Sequence, residues 1–131
     1  MEPEGVVNAL SRIHKALKKG GVLLDLHPTK PFATVEGAGA RLGALDESDF
    51  MQVVAATEAG LNETVRLGLF ALEKRRTFDV VERFDNADEL VDAVADWVGV
   101  SIPSRVADRV RESVPPFDIR ERVLLQRFQV L

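Results

Sequence analysis

The stretch Val7-Asn8-Ala9-Leu10-Ser11-Arg12-Ile13-His14-Lys15-Ala16-Leu17-Lys18-Lys19-Gly20-Gly21-Val22-Leu23-Leu24 decides how the chain is read. Val6, Val7, Leu10, Ile13 and Leu17 recur at helical spacing, and Lys15, Lys18 and Lys19 fall in the last turns, where the helix dipole favours cations. Gly20 and Gly21 end that helix. Val22 to Leu26 then form a nearly continuous apolar run, stopped by Pro28. Such a run predicts a strand buried on both faces, of the type found inside parallel sheets. The opening unit is therefore helix, tight Gly-Gly turn, central strand.

Downstream, residues 30–45 are rich in Gly and Ala, with short apolar stretches at Phe32 to Val35 and Leu42 to Leu45, and predict an irregular hairpin or loop. Asp46 is placed as a helix N-cap, with Asp49 at the third helical position and Leu45 and Phe50 as a hydrophobic staple. A helix should run from about Glu47 to Arg66. Its inward stripe is Phe50, Val53, Val54, Thr57, Leu61 and Val65, with Glu58, Asn62, Glu63 and Arg66 facing out.

From Leu69 to Phe84 the pattern shifts towards period two, with Phe78, Val80 and Phe84 on one face and Asp79, Val81 and Arg83 on the other. The cluster Glu73, Lys74, Arg75, Arg76 interrupts it and blurs where a helix would stop and a strand begin. Asn86 and Glu89 form a capping-box-like start for a helix through Leu90, Val91, Val94 and Val98, ended by Gly99. Pro103 suits the first turn of a short helix through Val106 and Val110, ended by Pro115 and Pro116. Ile119 to Leu131 reads as a long last strand. The expected order is helix, strand, irregular hairpin, helix, strand, two helices, strand, with no internal repeat or linker.

Composition narrows the chemistry. The chain has 131 residues, 17 Lys plus Arg against 21 Asp plus Glu, two histidines and no cysteine. That length can bury roughly two-thirds of its unfolded surface without staples. Absent cysteine removes thiolate metal sites, redox motifs and cysteine nucleophiles, so no metal site is expected. A net charge of −4 argues against a general nucleic-acid binder. No apolar run approaches the ~20 residues of a bilayer span, and the acidic start lacks a signal peptide's basic region. A soluble, cytoplasmic, bacterial-type protein is expected, with neither nucleic acid nor membrane as partner.

Three features compete as functional sites. Gly37-Ala38-Gly39-Ala40-Arg41-Leu42-Gly43 looks like a phosphate-cradling loop, but it does not lead directly into a long helix, and a hairpin turn explains it better. His27 stands just past the carboxyl end of the first strand, with Asp25 two residues earlier. A neutral imidazole there could act as a general base, although capping the strand before Pro28 accounts for it more simply. Asp25, His27 and Arg41 are the candidate catalytic residues. His14 reads as a surface or boundary residue, and Trp97 as core or interface. The basic clusters are interleaved with Asp108, Glu112, Asp118 and Glu121, which predicts solvated, mutually paired faces.

Residues 7–24 resemble the late helix–Gly-Gly–strand segment of class I S-adenosylmethionine-dependent methyltransferases, with Lys19 where that family usually has proline. The downstream order is similar to the family's C-terminal part, with the helices at 86–98 and 103–113 as an insertion between two final antiparallel strands. The resemblance implies an α/β (or α+β) fold: one truncated domain over residues 1–131, with a partial Rossmann-like sheet, a C-terminal antiparallel strand pair and flanking helices. The family holds its cofactor through a glycine-rich loop and an acid that both lie upstream of this segment. No cofactor-binding residue carries over, and S-adenosylmethionine binding by this chain alone is not expected.

Half of a doubly wound sheet leaves an apolar edge that something must cover. The expected partner is a second copy, as closed two-fold dimers are the commonest assembly, or else a complementary methyltransferase half. The expected function is a non-catalytic interaction or accessory module of unknown process. The alternatives are a subunit of a split methyltransferase, or a small-molecule-binding enzyme with a pocket around Asp25, His27 and Arg41.

Overall fold

The fold is α+β, with four helices and a five-stranded antiparallel sheet among the described residues, which in this computed structural model are 2–131. The elements are α1 (Pro3–Ala16), β1 (Val22–Pro28), β2 (Thr34–Gly37), β3 (Ala40–Ala44), α2 (Ser48–Arg66), β4 (Phe70–Phe84), α3 (Ala87–Ala95), α4 (Ser104–Glu112) and β5 (Phe117–Val130). Their order is the expected one. Strands run β1-β5-β2-β3, with β4 also paired to β5.

Long-range packing divides the chain into two compact units. One comprises the chain up to Pro28, Met51–Thr77 and Leu124–Leu131; the other comprises Thr29–Phe50 and Phe78–Val123. In the first, Val6 and Leu10 of α1 and Leu61 of α2 pack on Phe70, Phe128 and Val130, with Leu23 against them. β1 runs antiparallel to β5, as the bonds from Val130 N–H to Gly21 C=O and from Gly20 N–H to Val130 C=O begin the pairing. β1 is the end strand of the order, with β5 as its one neighbour. It is not buried on both faces as expected: Val22, Leu24 and Leu26 are 40%, 64% and 58% exposed, while His27 is buried. An apolar run fits a doubly covered strand and a half-covered one equally well, and only the partner strand decides between them.

The phase of α2 also differs from the expected stripe. Val54, Gly60, Leu61 and Thr64 are buried, whereas Val53 and Val65 point outward. Glu58, expected to face solvent, is half-exposed and lies at the rim of the buried arc, four residues after Val54 and three before Leu61. The helix starts at Ser48, and Asp46 accepts hydrogen bonds from the Ser48 N–H (3.0 Å) and hydroxyl (2.6 Å), an acid capping the first turn from one residue further out than expected.

In the second unit, Val35, Leu45, Phe84, Leu90, Val94, Val106, Val110, Phe117 and Ile119 form the core, with Trp97 packed against it. Asn86 caps α3 by accepting from Glu89 N–H at 2.9 Å, as the sequence predicts, while the Glu89 carboxylate reaches one residue further back than a capping box requires and accepts from Asp85 N–H at 3.2 Å. Val98 is 88% exposed, because α3 ends at Ala95 before the stripe reaches it.

The segment around Gly37–Gly43 is the β2–β3 hairpin. Ala38 (φ 51°) and Gly39 (φ 75°) form its two-residue turn, both in the left-handed region such tight hairpins require. β4 is one 15-residue strand that runs straight through the charged cluster at 73–76, so the expected interruption does not occur. In the half of β4 and β5 belonging to this unit, Arg83 bonds Asp118 at 2.9 Å, and Arg120 lies between Glu36 (3.0 Å) and Asp79 (3.5 Å). Of the four acids read from the sequence as paired and solvated, Asp118 is so placed, and the Arg83 guanidinium holds its carboxyl below the usual carboxylate range, whereas Asp108, Glu112 and Glu121 make no ion pair among the described residues.

Candidate functional site

Alternation along β1 puts Leu23, Asp25 and His27 on the side of the strand that meets the helices. His27 is 7% exposed. Its Nδ1 lies 2.7 Å from Asp25 Oδ2 and its Nε2 lies 2.8 Å from Glu58 Oε1. Gln126 of β5 donates its side-chain amide to the same Asp25 oxygen at 3.1 Å. One imidazole is thus held from two sides, by an acid on its own strand and an acid on α2. The sequence brings Asp25 and His27 together by their i, i+2 spacing; Glu58 and Gln126 come from distant elements.

The chemistry of this cluster follows from the donor inventory. A protonated ring has two N–H groups, and here each has a carboxylate oxygen to donate to. A neutral ring would supply one N–H and turn a lone pair towards the other carboxylate. A general base needs a free lone pair aimed at a substrate proton, and both His27 nitrogens are already engaged. Among the described residues no hydroxyl takes part in the cluster; Thr57, next to Glu58 on α2, donates to Val53 C=O. The arrangement is a clamp that holds a buried imidazole and ties α2 to β1.

Arg41, the third candidate, stands exposed on β3 in the other unit and is not part of that cluster. It lines a cleft of about 340 Å³ with Leu42, Pro103, Arg105, Val106 and Arg109. His14 is half-buried: its Nε2 bonds Leu131 C=O at 2.9 Å and its ring meets Phe70 edge-on, 5.5 Å between centroids. It is a boundary residue, as expected.

Two further acids matter. Glu47 is buried and accepts from Ala33 N–H at 3.1 Å; burial pushes its carboxyl above the ordinary glutamate range, opposed by that bond. Glu121 of β5 is pushed up as well, by burial and then by the neighbouring charges of Glu47 and Glu82. Among the described residues, no group of three His, Asp or Glu side chains is arranged to hold a metal ion. The hairpin turn at 38–39 leads into β3 and presents no helix N-terminus, so it does not fit the phosphate-loop geometry.

No protein-family model matches the chain, and comparison with curated proteins and with solved structures finds no similar chain.

Proposed function

We propose that this chain is a non-catalytic, methyltransferase-like interaction or accessory module that works as a homodimer. The observation that carries the reading is the row Val22, Leu24 and Leu26 on one side of β1, standing in solvent where a half-covered antiparallel strand ordinarily places polar residues. A second copy placed by a two-fold axis would set row against row, the self-complementary contact that closed dimers use.

The non-catalytic half of the reading draws on His27, whose two nitrogens are taken up by Asp25 and Glu58 and are not free for proton transfer to a ligand. Calorimetric titration with S-adenosylmethionine and S-adenosylhomocysteine tests it. The expected result is no saturable heat; micromolar binding by the chain alone would overturn the reading in favour of an enzyme.

A further inference from the structure

The cleft at Arg41 combines features that the interaction reading does not use. Arg41 comes from β3, and Arg105 and Arg109 from adjacent turns of α4, so three arginines line one concave surface. None of the three makes an ion pair among the described residues, unlike Arg83, Arg120, Arg122 and Arg127, each of which has a carboxylate partner. Arg105 and Arg109 are also spaced i, i+4, a like-charge placement that costs a helix stability unless an anion offsets it. Asp108 of the same helix pairs with neither.

The cleft is held in shape from both walls. Arg109 donates an Nη1 hydrogen to Leu42 C=O at 3.1 Å, which fixes the guanidinium against β3 and leaves its other N–H groups unassigned. β3 approaches α4 closely at Gly43, where an added Cβ would lie 2.5 Å from Val106 Cγ2. Pro103 opens α4 with no side-chain cap, so the first-turn N–H groups add a partial positive charge beside the arginines. The walls between the charges are apolar, from Leu42, Pro103 and Val106.

We propose that this cleft binds a small phosphomonoester: a dianionic phosphate gripped by Arg41, Arg105 and Arg109, carried on a compact body that rests on the Leu42 and Pro103 wall. Planar guanidinium forks match phosphate oxygens two at a time, which a point charge does not. The volume, about 340 Å³, falls at the lower end of small-ligand sites, which suits a compact ester.

The test follows amide chemical shifts of the full chain on titration with phenyl phosphate, inorganic phosphate and benzyl alcohol. Saturable shifts confined to residues 41–44 and 103–109 are expected with phenyl phosphate, with inorganic phosphate about tenfold weaker and benzyl alcohol inactive. Arg41→Gln and Arg105→Gln, both at exposed positions, should each weaken phenyl phosphate about tenfold while leaving the remaining spectrum unchanged. Three results would overturn the proposal: no saturation by about 10 mM phenyl phosphate, where millimolar affinity is the floor for a specific site; undiminished binding in Arg41→Gln or in Arg105→Gln; or equal affinity for inorganic phosphate, which would remove the ester. None of these depends on whether the chain dimerises.

Discussion

Nε2 of His27 lies 2.8 Å from Oε1 of Glu58, a residue 31 positions further along the chain and on a helix rather than a strand. With Asp25 on the other ring nitrogen, that contact makes His27 the buried polar residue through which α2 is tied to β1.

Removing the ring should therefore cost stability. His27→Ala leaves the largely buried Asp25 carboxylate without its main partner, and a loss of about 1–3 kcal/mol is expected in urea denaturation. Glu58→Gln keeps an acceptor at a half-exposed position and should cost less, about 1 kcal/mol or below. Equal stability of His27→Ala and the wild type would show that the clamp contributes nothing.

Glu121 provides a pH-dependent prediction whose sign is fixed by its environment. Its carboxyl titrates above the ordinary glutamate range because burial, then Glu47 and Glu82, disfavour the charged form. The folded protein therefore holds a proton there that the unfolded chain gives up more readily. The associated stability is present below the ordinary glutamate range and is lost as pH rises through the elevated value. Glu121→Gln should raise the melting temperature near pH ~7 and leave it unchanged near pH ~4. A variant less stable than wild type at neutral pH would contradict this account of the Glu47, Glu82 and Glu121 cluster.

Gly43 is where the β3 backbone meets α4. An alanine Cβ there would fall 2.5 Å from Val106 Cγ2, and Val106 is buried in the core and has little room to retreat. Gly43→Ala should destabilise by about 1–3 kcal/mol, the usual cost of overpacking, measured by thermal melting. The same change at Gly39, in the hairpin turn, meets no neighbouring atom and should act only through its positive φ.

How much of this was legible in the sequence depends on whether the signal is local. Helix starts marked by Asn86 with Glu89 and by Pro103 were readable because caps act within a turn of the chain, whereas α1 ends at Ala16, where Leu17 turns extended, before the chain reaches the Gly20-Gly21 pair and the Lys18 and Lys19 expected in its last turn. The antiparallel partnership of β1 with β5 was not, because Val22 to Leu26 carries the same apolar run whichever strand lies beside it. The clamp was half legible: Asp25 and His27 share a face by alternation, but Glu58 joins them only once α2 takes the phase that buries Val54 and Leu61 and turns Val53 outward. Arg41 was a candidate in the sequence, yet its companions Arg105 and Arg109 are more than sixty residues away and meet it only through the close approach of β3 to α4.

The central claim, that the exposed row on β1 is a contact between two copies, is tested most directly by sedimentation equilibrium of the wild type beside Leu24→Glu. Leu24 is 64% exposed, so the substitution should leave the fold intact while placing a charge in the middle of the contact. Twice the 14.4 kDa chain mass is expected for the wild type at micromolar concentration, and the single-chain mass for the variant. A wild type that sediments as a single chain, or a variant that stays dimeric, would contradict the claim.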